Sequence, residues 1–235
     1  MPRTLPISLG QIELVPEKPF THTDHIEKDR EVLMHMARQV DMVLENNLDS
    51  LGERETIFID EPHKRYHRFF VPRPIVLSQA KKVYLVGFFS HKKASATPNH
   101  FGDLDDRLIE QIHTFREILS YSTMALPNGD FGNLVLLSDE EVKLKWMHGE
   151  IHNRAVELSP AYYQYVRINN GLLPEGVVQP DALIITRVKY YDFEQDPPWK
   201  AIREPPRKRV RFPLAQSSRR TSINTPRCAC QIFLS

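Results

Sequence analysis

The sequence predicts an α+β protein built on an antiparallel sheet, with two helices packed on one face of that sheet. Apolar runs of strand length alternate with helix-period apolar patterns over residues 81–193, in the order β-α-β-β-α-β-β. A Pro-Asn-Gly-Asp turn at residues 127–130 joins two of these strands as a hairpin, because Asn-Gly adopts positive φ at little cost. A long helical pattern precedes this region, and a segment rich in proline and basic residues follows it.

Residues 1–80 are predicted to be an N-terminal extension with one long helix and an arm. Prolines among the first 23 residues favour extended chain. A helix is then expected over residues 25–47, with Asp24 as its N-cap and Glu27 completing a capping box. Its apolar face consists of residues at helical spacing, namely Ile26, Leu33, Ala37, Val40 and Leu44. Residues 54–78 hold one short apolar run and three prolines, which predicts an arm or an edge segment.

Residues 81–193 are predicted to form the folded domain. The run at residues 83–89 is continuously apolar, as expected for a strand that is buried on both faces. Strands at residues 120–126 and 131–137 flank the Asn128-Gly129 turn. Between the first strand and this hairpin, a helix is expected from residue 103, with an apolar face of Leu104, Leu108, Ile112, Phe115 and Leu119.

A second helix and two strands complete this domain. Ser138 and Glu141 form a capping box at the start of the helix, and Pro160 is expected to end it. A β-rich run at residues 162–168 is closed by a predicted turn at residues 169–171, Asn-Asn-Gly. Alternating residues at 182–193 predict the last strand.

The first six of these elements match the split β-α-β arrangement of ferredoxin-like folds, in which both helices lie on one face of an antiparallel sheet. The opposite face of the predicted sheet is also apolar and must therefore be covered. A second subunit or extra helices are the two expected solutions.

The net charge of +1 is the sum of two unlike parts. Residues 194–235 hold nine basic and three acidic residues, a charge of +6, so the remainder carries −5. We expect this tail to be disordered, because it has six prolines and no apolar periodicity. Its run at residues 205–211, Pro-Pro-Arg-Lys-Arg-Val-Arg, resembles a nuclear-localisation or polyanion-binding patch, and a solvated linker is the alternative. Nucleic-acid binding is not expected, except through this basic tail.

Composition excludes several classes of protein. Cys228 and Cys230 are the only cysteines, too few for a disulfide framework or a four-thiolate zinc site. The apolar runs are far shorter than the roughly 20 residues that a membrane helix needs. Residues 1–15 lack the apolar core of a signal peptide. These features predict a cytoplasmic protein, with a nuclear location through the basic tail as the alternative.

The candidate catalytic and ligand-binding residues lie on the second helix and the last strands. His148 and His152 are four residues apart and share one helix face, but no third ligand is near, so no metal is predicted. Alternation along the next strand places Tyr163, Tyr165 and Arg167 on one face. The Arg167 guanidinium is suited to hold a carboxylate or enolate oxygen, and the alternative is ordinary strand packing with an exposed arginine.

Residues 81–193 resemble the dimeric α+β-barrel superfamily, and in particular its antibiotic-biosynthesis-monooxygenase-like members. The resemblance rests on the element order, the Asn128-Gly129 hairpin, and Trp146 six residues before His152. It implies a homodimer whose sheets pack into a barrel. It also implies a ligand cavity between helices and sheet, which in many members handles aromatic, polyketide or haem-like compounds.

We therefore expect a small-molecule enzyme that acts on an apolar oxygenated metabolite by cofactor-independent oxygenation, cyclisation, isomerisation or dehydration. The resemblance makes secondary-metabolite biosynthesis the natural setting. His152 is the expected base, with Arg167 and Tyr163 as anion holders. The expected substrate-binding residues are Trp146, His148, Tyr165, Asn169 and Tyr190. The alternatives are a haem or small-molecule binding protein without turnover, and a non-catalytic dimerisation module whose basic tail contacts a partner.

Overall fold

A computed structural model describes residues 5–52, 55–62, 65–96, 107, 109–142 and 149–206. Within these residues nine strands form a sheet, and three α-helices with described bounds accompany it, besides the helical residues 109–112. The strands are β1 (Ile7–Leu9), β2 (Thr56–Glu61), β3 (Arg65–Phe70), β4 (Val83–Lys92), β5 (Ile118–Ala125), β6 (Phe131–Leu137), β7 (Tyr163–Leu173), β8 (Ile184–Asp192) and β9 (Trp199–Arg203). The helices are α1 (Thr23–Asn47), α2 (Pro74–Gln79) and α3 (Glu150–Tyr162). None of the helices in the described part of the chain is long and apolar enough to span a membrane.

The strand order is β1-β9-β8-β7-β4-β6-β5-β3-β2, and only the pairing of β1 with β9 is parallel among these strands. The central four, β7-β4-β6-β5, have the strand order of a ferredoxin-like sheet, in which the first strand lies between the third and the fourth. The predicted hairpin joins β5 to β6, and Gly129 takes a φ of 83° there. The sequence-based prediction of a ferredoxin-like core is therefore confirmed, and further strands extend it on both sides.

Both faces of the central sheet are covered by this chain. On one face, Tyr84 and Val86 of β4 pack with Ile112 from the helical residues 109–112. On the other face, Leu85 of β4 belongs to the core that α1 completes. This helix contributes Leu33, Met36, Ala37, Val40, Val43 and Leu44 to that core. Of the two expected solutions, the structure thus shows an extra helix, and α1 occupies the face that the resemblance assigned to a partner's sheet.

Glycine in β4 lets α1 lie close to the strand. A Cβ atom at Gly87 would lie 2.7 Å from the methyl carbons of Leu33, well inside van der Waals contact. The approach brings α1 into contact with successive parts of the sheet. Asp29 bonds to Arg167 of β7, Leu33 lies over β4, and His35 bonds to the end of β2.

The region before residue 81 is part of the same sheet, so no boundary in the sheet falls at residue 80. The predicted helix is confirmed to its end at Asn47, but it begins at Thr23. His22 caps it in place of Asp24, because the His22 Nδ1 atom accepts a hydrogen bond from the backbone N–H of Asp24 at 3.2 Å. The segment predicted as an arm or an edge segment holds the edge strand β2, but it also holds the internal strand β3 and helix α2, which were not predicted.

The predicted bounds of the two helices in residues 81–193 differ from those in the structure. The first was expected to reach Leu119, but β5 begins at Ile118, and most of residues 97–108 lie outside the described residues. For the second, Asp139 rather than Ser138 accepts from the backbone N–H of Glu141, at 2.8 Å. Residues 143–148 lie outside the described residues, and α3 runs past Pro160 to Tyr162. The proline therefore precedes the end of the helix by two residues and does not mark it.

The predicted turn at residues 169–171 is wrong, because β7 continues through it to Leu173. Pairing with β4 on one side and β8 on the other outweighs the local preference of Asn-Asn-Gly for a turn. Gly171 does not form a turn but allows a close contact between β7 and β8. A Cβ atom at Gly171 would lie 2.2 Å from the carbonyl oxygen of Ile184, and the β7–β8 register shifts at this point.

The prediction of a disordered tail from residue 194 is wrong for its first part. Strand β9 pairs with β8 and β1, and Arg203 at its end is fully buried. Its guanidinium donates hydrogen bonds to four backbone carbonyls, those of Gly10, Gln11, Glu13 and Thr21. The sequence-based prediction counts Arg203 among the solvated charges of the tail. In the structure, its guanidinium instead joins the N-terminal segment to the sheet. Residues 207–235, with most of the basic run, lie outside the described residues.

Candidate functional site

Several of the predicted site residues meet on the face of the sheet that α1 covers. Arg167 of β7 pairs with Tyr190 of β8, and Asn169 follows two residues later on β7. Both Asn169 and Tyr190 are fully buried. Tyr165 precedes them on the same face, where its ring stacks on that of Phe20 with 4.5 Å between centroids.

Asp29 of α1 is the centre of this group, and the sequence prediction missed it. The Arg167 Nε and Nη2 atoms donate to the two carboxylate oxygens of Asp29 at 2.8 and 2.7 Å. The Asn169 Nδ2 atom donates to the same carboxylate at 2.9 Å. Burial alone would lower the pKa of Arg167, but the hydrogen bonds and charge of Asp29 offset it and raise that pKa. The carboxylate that Arg167 was expected to take from a substrate is thus supplied by its own chain.

Tyr163 lies on the opposite face of the sheet from Arg167, contrary to the predicted alternation. The register between β4 and β7 shifts between His91 and Lys92, which places two residues of β7 against one of β4. The ring of Tyr163 therefore packs edge-to-face on Phe88, at 5.7 Å. The guanidinium of Arg167 lies over Phe89 on the other face, at 5.9 Å from the ring centroid.

The remaining predicted residues do not join this group. His152 is half-buried on α3, and burial lowers its pKa. Within the predicted catalytic set of His152, Tyr163 and Arg167, the last two lie on opposite faces of the sheet. Trp146 and His148 lie outside the described residues.

A histidine–aspartate pair next to Tyr165 is a better candidate for acid–base chemistry. His91 of β4 bonds through Nδ1 to the Oδ2 atom of Asp130 at 2.9 Å. The carboxylate of Asp130 is nearly buried and also accepts from the backbone N–H of Lys92 at 3.1 Å and from the side chain of Asn128 at 2.6 Å. These two donors hold the orientation of the Asp130 carboxylate.

The imidazole of His91 is accessible as well as oriented. Its side chain is 40% exposed, and its Nε2 atom makes no hydrogen bond to the residues that the structure describes. The ring stacks on Tyr165 with 5.1 Å between centroids, and burial raises the pKa of the Tyr165 phenol. We refer to His91, Asp130, Tyr165 and Phe20 as the His91 site. The sequence signal was weak, because His91 and Asp130 are 39 residues apart and only the pairing of β4 with β6 brings them together.

A second group of polar side chains lies at the other side of the sheet. His35 of α1, Glu61 of β2 and His67 of β3 place their ligand atoms within 4.8 Å of one another, and this is the group among the described residues that could hold a metal ion. Glu61 is nearly buried and His67 is fully buried. Burial, opposed only in part by Glu61, lowers the pKa of His67 to about 4, so its imidazole is neutral at neutral pH.

Comparison with known proteins identifies no family. No family model matches the chain, and no curated protein matches it. Among solved structures, the chain is similar to a dimeric ferredoxin-like protein of unknown function from Thermobifida fusca. The two are 15% identical, the match covers 40% of this chain and 93% of the other, and the TM-score is 0.34. The order of β7, β4, β6 and β5 in the sheet is the feature that identifies the ferredoxin-like core.

Proposed function

We propose that the protein is a small-molecule enzyme in which His91, oriented by Asp130, acts as a general base. The observation that carries the proposal is the 2.9 Å hydrogen bond from the His91 Nδ1 atom to the nearly buried carboxylate of Asp130. A carboxylate at Nδ1 fixes the tautomer in which Nε2 carries the lone pair, and it stabilises the imidazolium that forms when Nε2 takes a proton. His91 thus replaces His152 as the proposed base.

The surroundings of His91 favour an apolar substrate that carries an oxygen function. The Tyr165 ring lies between the imidazole and the buried ring of Phe20, which makes the surroundings of His91 aromatic and apolar. The Tyr165 hydroxyl, protonated at neutral pH, is suited to donate a hydrogen bond to a substrate oxygen. In this proposal Arg167 does not bind substrate, because Asp29 already occupies its guanidinium.

Proton abstraction from carbon next to a carbonyl is the reaction that this pair of groups serves best. His91 would take the proton, and Tyr165 would stabilise the enolate oxygen that results. Isomerisation, aldol-type cyclisation and β-elimination of water from a carbonyl compound can each begin with such a step, and none of them needs a redox cofactor. Secondary metabolism remains the setting that the family resemblance implies.

Hydrogen–deuterium exchange into an enolisable ketone tests the proposal. The probe is 2-tetralone, an apolar aromatic ketone, incubated with the full-length protein in D2O and followed by proton NMR. We expect the protein to accelerate exchange over buffer, and His91→Ala to abolish the acceleration, because base catalysis contributes about 10²–10⁴-fold. Asp130→Asn is expected to lower it at least about tenfold, since the tautomer of His91 is no longer fixed.

His152→Ala is the matched control, because it removes the histidine that the sequence alone predicted as the base. Exchange that survives His91→Ala but is lost in His152→Ala would overturn the proposal, and so would the absence of any acceleration by the wild-type protein. The nitrogen-15 NMR spectrum of the His91 ring tests the tautomer of His91 in the absence of substrate. It should show a protonated Nδ1 and an unprotonated Nε2 in the wild type, and a mixture of tautomers in Asp130→Asn.

A further inference from the structure

Two imidazoles and one carboxylate converge where α1 crosses the β2–β3 edge of the sheet. The Glu61 Oε1 atom lies 2.8 Å from the His35 Nε2 atom and 3.0 Å from the His67 Nδ1 atom. A single oxygen atom thus lies between two ring nitrogens that come from different elements of the fold. We refer to these three residues as the His35–Glu61–His67 cluster.

The fold brings these side chains together through long-range packing. Glu61 is the last residue of β2, and His67 lies on β3 opposite Ile59 of β2 and Met124 of β5. The side chain of His67 faces α1, and its ring packs on Phe69 with 3.9 Å between centroids. Each ligand is therefore held by a rigid element, as a preorganised metal site requires.

The hydrogen bonding of His67 does not account for a histidine at this position. The Nδ1 atom faces Glu61, but the Nε2 atom is buried with no hydrogen-bond partner among the described residues. A buried polar atom without a partner costs about 1–3 kcal/mol. A metal ion bound through Nδ1 would leave Nε2 as it is, and the convergence of the three ligand atoms within 4.8 Å is the observation that favours a metal site here.

We infer that His35, Glu61 and His67 bind one divalent transition-metal ion, zinc or iron(II), through two nitrogens and one oxygen. Mixed imidazole and carboxylate ligands favour these ions over calcium and magnesium, which prefer ligands that are all oxygen. Two histidines with one glutamate are the protein ligands of catalytic zinc sites and of facial-triad iron sites, in which water or substrate fills the open positions. The side chain of His35 is 37% exposed, so the open positions would face solvent on its side.

This cluster is separate from the His91 site. His91 lies on β4 and His67 on β3, and the order β4-β6-β5-β3 places them three strand spacings apart, roughly 14 Å along the sheet. The two sites share no residue. Failure of one proposal therefore leaves the other unaffected.

Cobalt(II) titration of the untagged full-length protein tests the inference. The protein is first stripped with EDTA and dialysed, and binding of Co²⁺ is followed by its visible d–d absorption, with calorimetric titration of Zn²⁺ alongside. We expect one Co²⁺ per chain. His35→Ala and Glu61→Gln are each expected to weaken binding at least about tenfold, since loss even of a group that supports a ligand costs about 10–100-fold.

His91→Ala is the matched control for metal binding. Like His35, His91 bonds to a nearly buried carboxylate, that of Asp130, and the exposed fractions of the two side chains are similar, 40% and 37%. Unlike Glu61, however, Asp130 has no second imidazole beside it among the described residues. Binding should be unchanged in this variant, and circular dichroism of all variants shows whether they fold. Equal affinity in the wild type, His35→Ala and Glu61→Gln would overturn the inference. So would the absence of Co²⁺ and Zn²⁺ binding at millimolar metal, or a spectrum dominated by thiolate charge transfer from Cys228 and Cys230.

Discussion

Asp29 and Arg167 are 138 residues apart in the chain, yet they form a two-point ion pair that joins α1 to the centre of the sheet. Their side chains are only 4% and 11% exposed. The pair fixes the position of the helix at one end of the face that it covers. It also explains why a strand arginine that resembles a substrate-binding group is not available to a substrate.

Removal of Asp29 should destabilise the protein strongly. Asp29→Ala leaves the guanidinium of Arg167 buried without its anion, which costs about 3–5 kcal/mol. The exposed pair of Arg187 and Glu204 is the matched control, because its side chains are 50% and 66% exposed. Glu204→Ala should cost less than about 1 kcal/mol. Urea unfolding measures both values, and equal small losses in the two variants would contradict a buried ion pair.

The first part of the C-terminal segment should be essential for stability. A chain ending after residue 198 lacks β9 and Arg203, so four backbone carbonyls near the N-terminus lose their donor. A chain ending after residue 206 keeps them and should unfold at the same urea concentration as the full-length protein. Arg203→Met alone should cost at least about 1–3 kcal/mol, since it leaves the buried carbonyl of Thr21 unpaired.

The exposed residue Arg187 provides the control for Arg203→Met. Arg187→Met removes an arginine from the neighbouring strand β8, where it bonds to Glu204 at the surface. A loss of less than about 1 kcal/mol is expected. If the chain ending after residue 198 were as stable as the full-length protein, β9 would not be part of the folded unit.

The central sheet could be predicted from sequence because its signals are local. Continuous apolar runs mark β4 and β6, an Asn-Gly turn marks the hairpin, and helical spacing marks α1. The predicted bounds of β6, residues 131–137, are those of the structure. The elements that were predicted wrongly are those in which strand pairing outweighs the local conformational preference of the residues. The Asn-Asn-Gly segment inside β7 is the example.

The candidate sites could not be predicted because they depend on pairing between distant segments. No local pattern places His91 next to Asp130, or His35 next to Glu61 and His67. The predicted position of Tyr163 failed for a related reason. One register shift in β7 moves that side chain to the opposite face, and strict alternation does not allow for it.

Gly171 should not tolerate a side chain. A Cβ atom there would lie 2.2 Å from the backbone oxygen of Ile184, and a paired strand cannot move away as a flexible side chain can. Gly171→Ala should therefore cost at least about 3 kcal/mol, the upper end of the usual range for overpacking. Gly52→Ala is the control, because the nearest atoms to its Cβ are at 3.8 Å. Thermal unfolding of the two variants distinguishes close strand contact from a general effect of losing glycine.

Stability should fall in mild acid, in part through His152. Burial holds the pKa of His152 below its ordinary value of 6.5, so the unfolded chain binds a proton at higher pH than the folded protein does. The contribution of neutral His152 is complete above pH 6.5 and is lost as the pH falls from 6.5 towards the folded pKa. His152→Gln cannot take up this proton. The drop in unfolding free energy between pH 7.5 and 5.5 should therefore be smaller in the variant, while the change between pH 7.5 and 9 should be the same. Equal drops in mild acid would show that His152 is as easily protonated in the folded protein as in the unfolded chain.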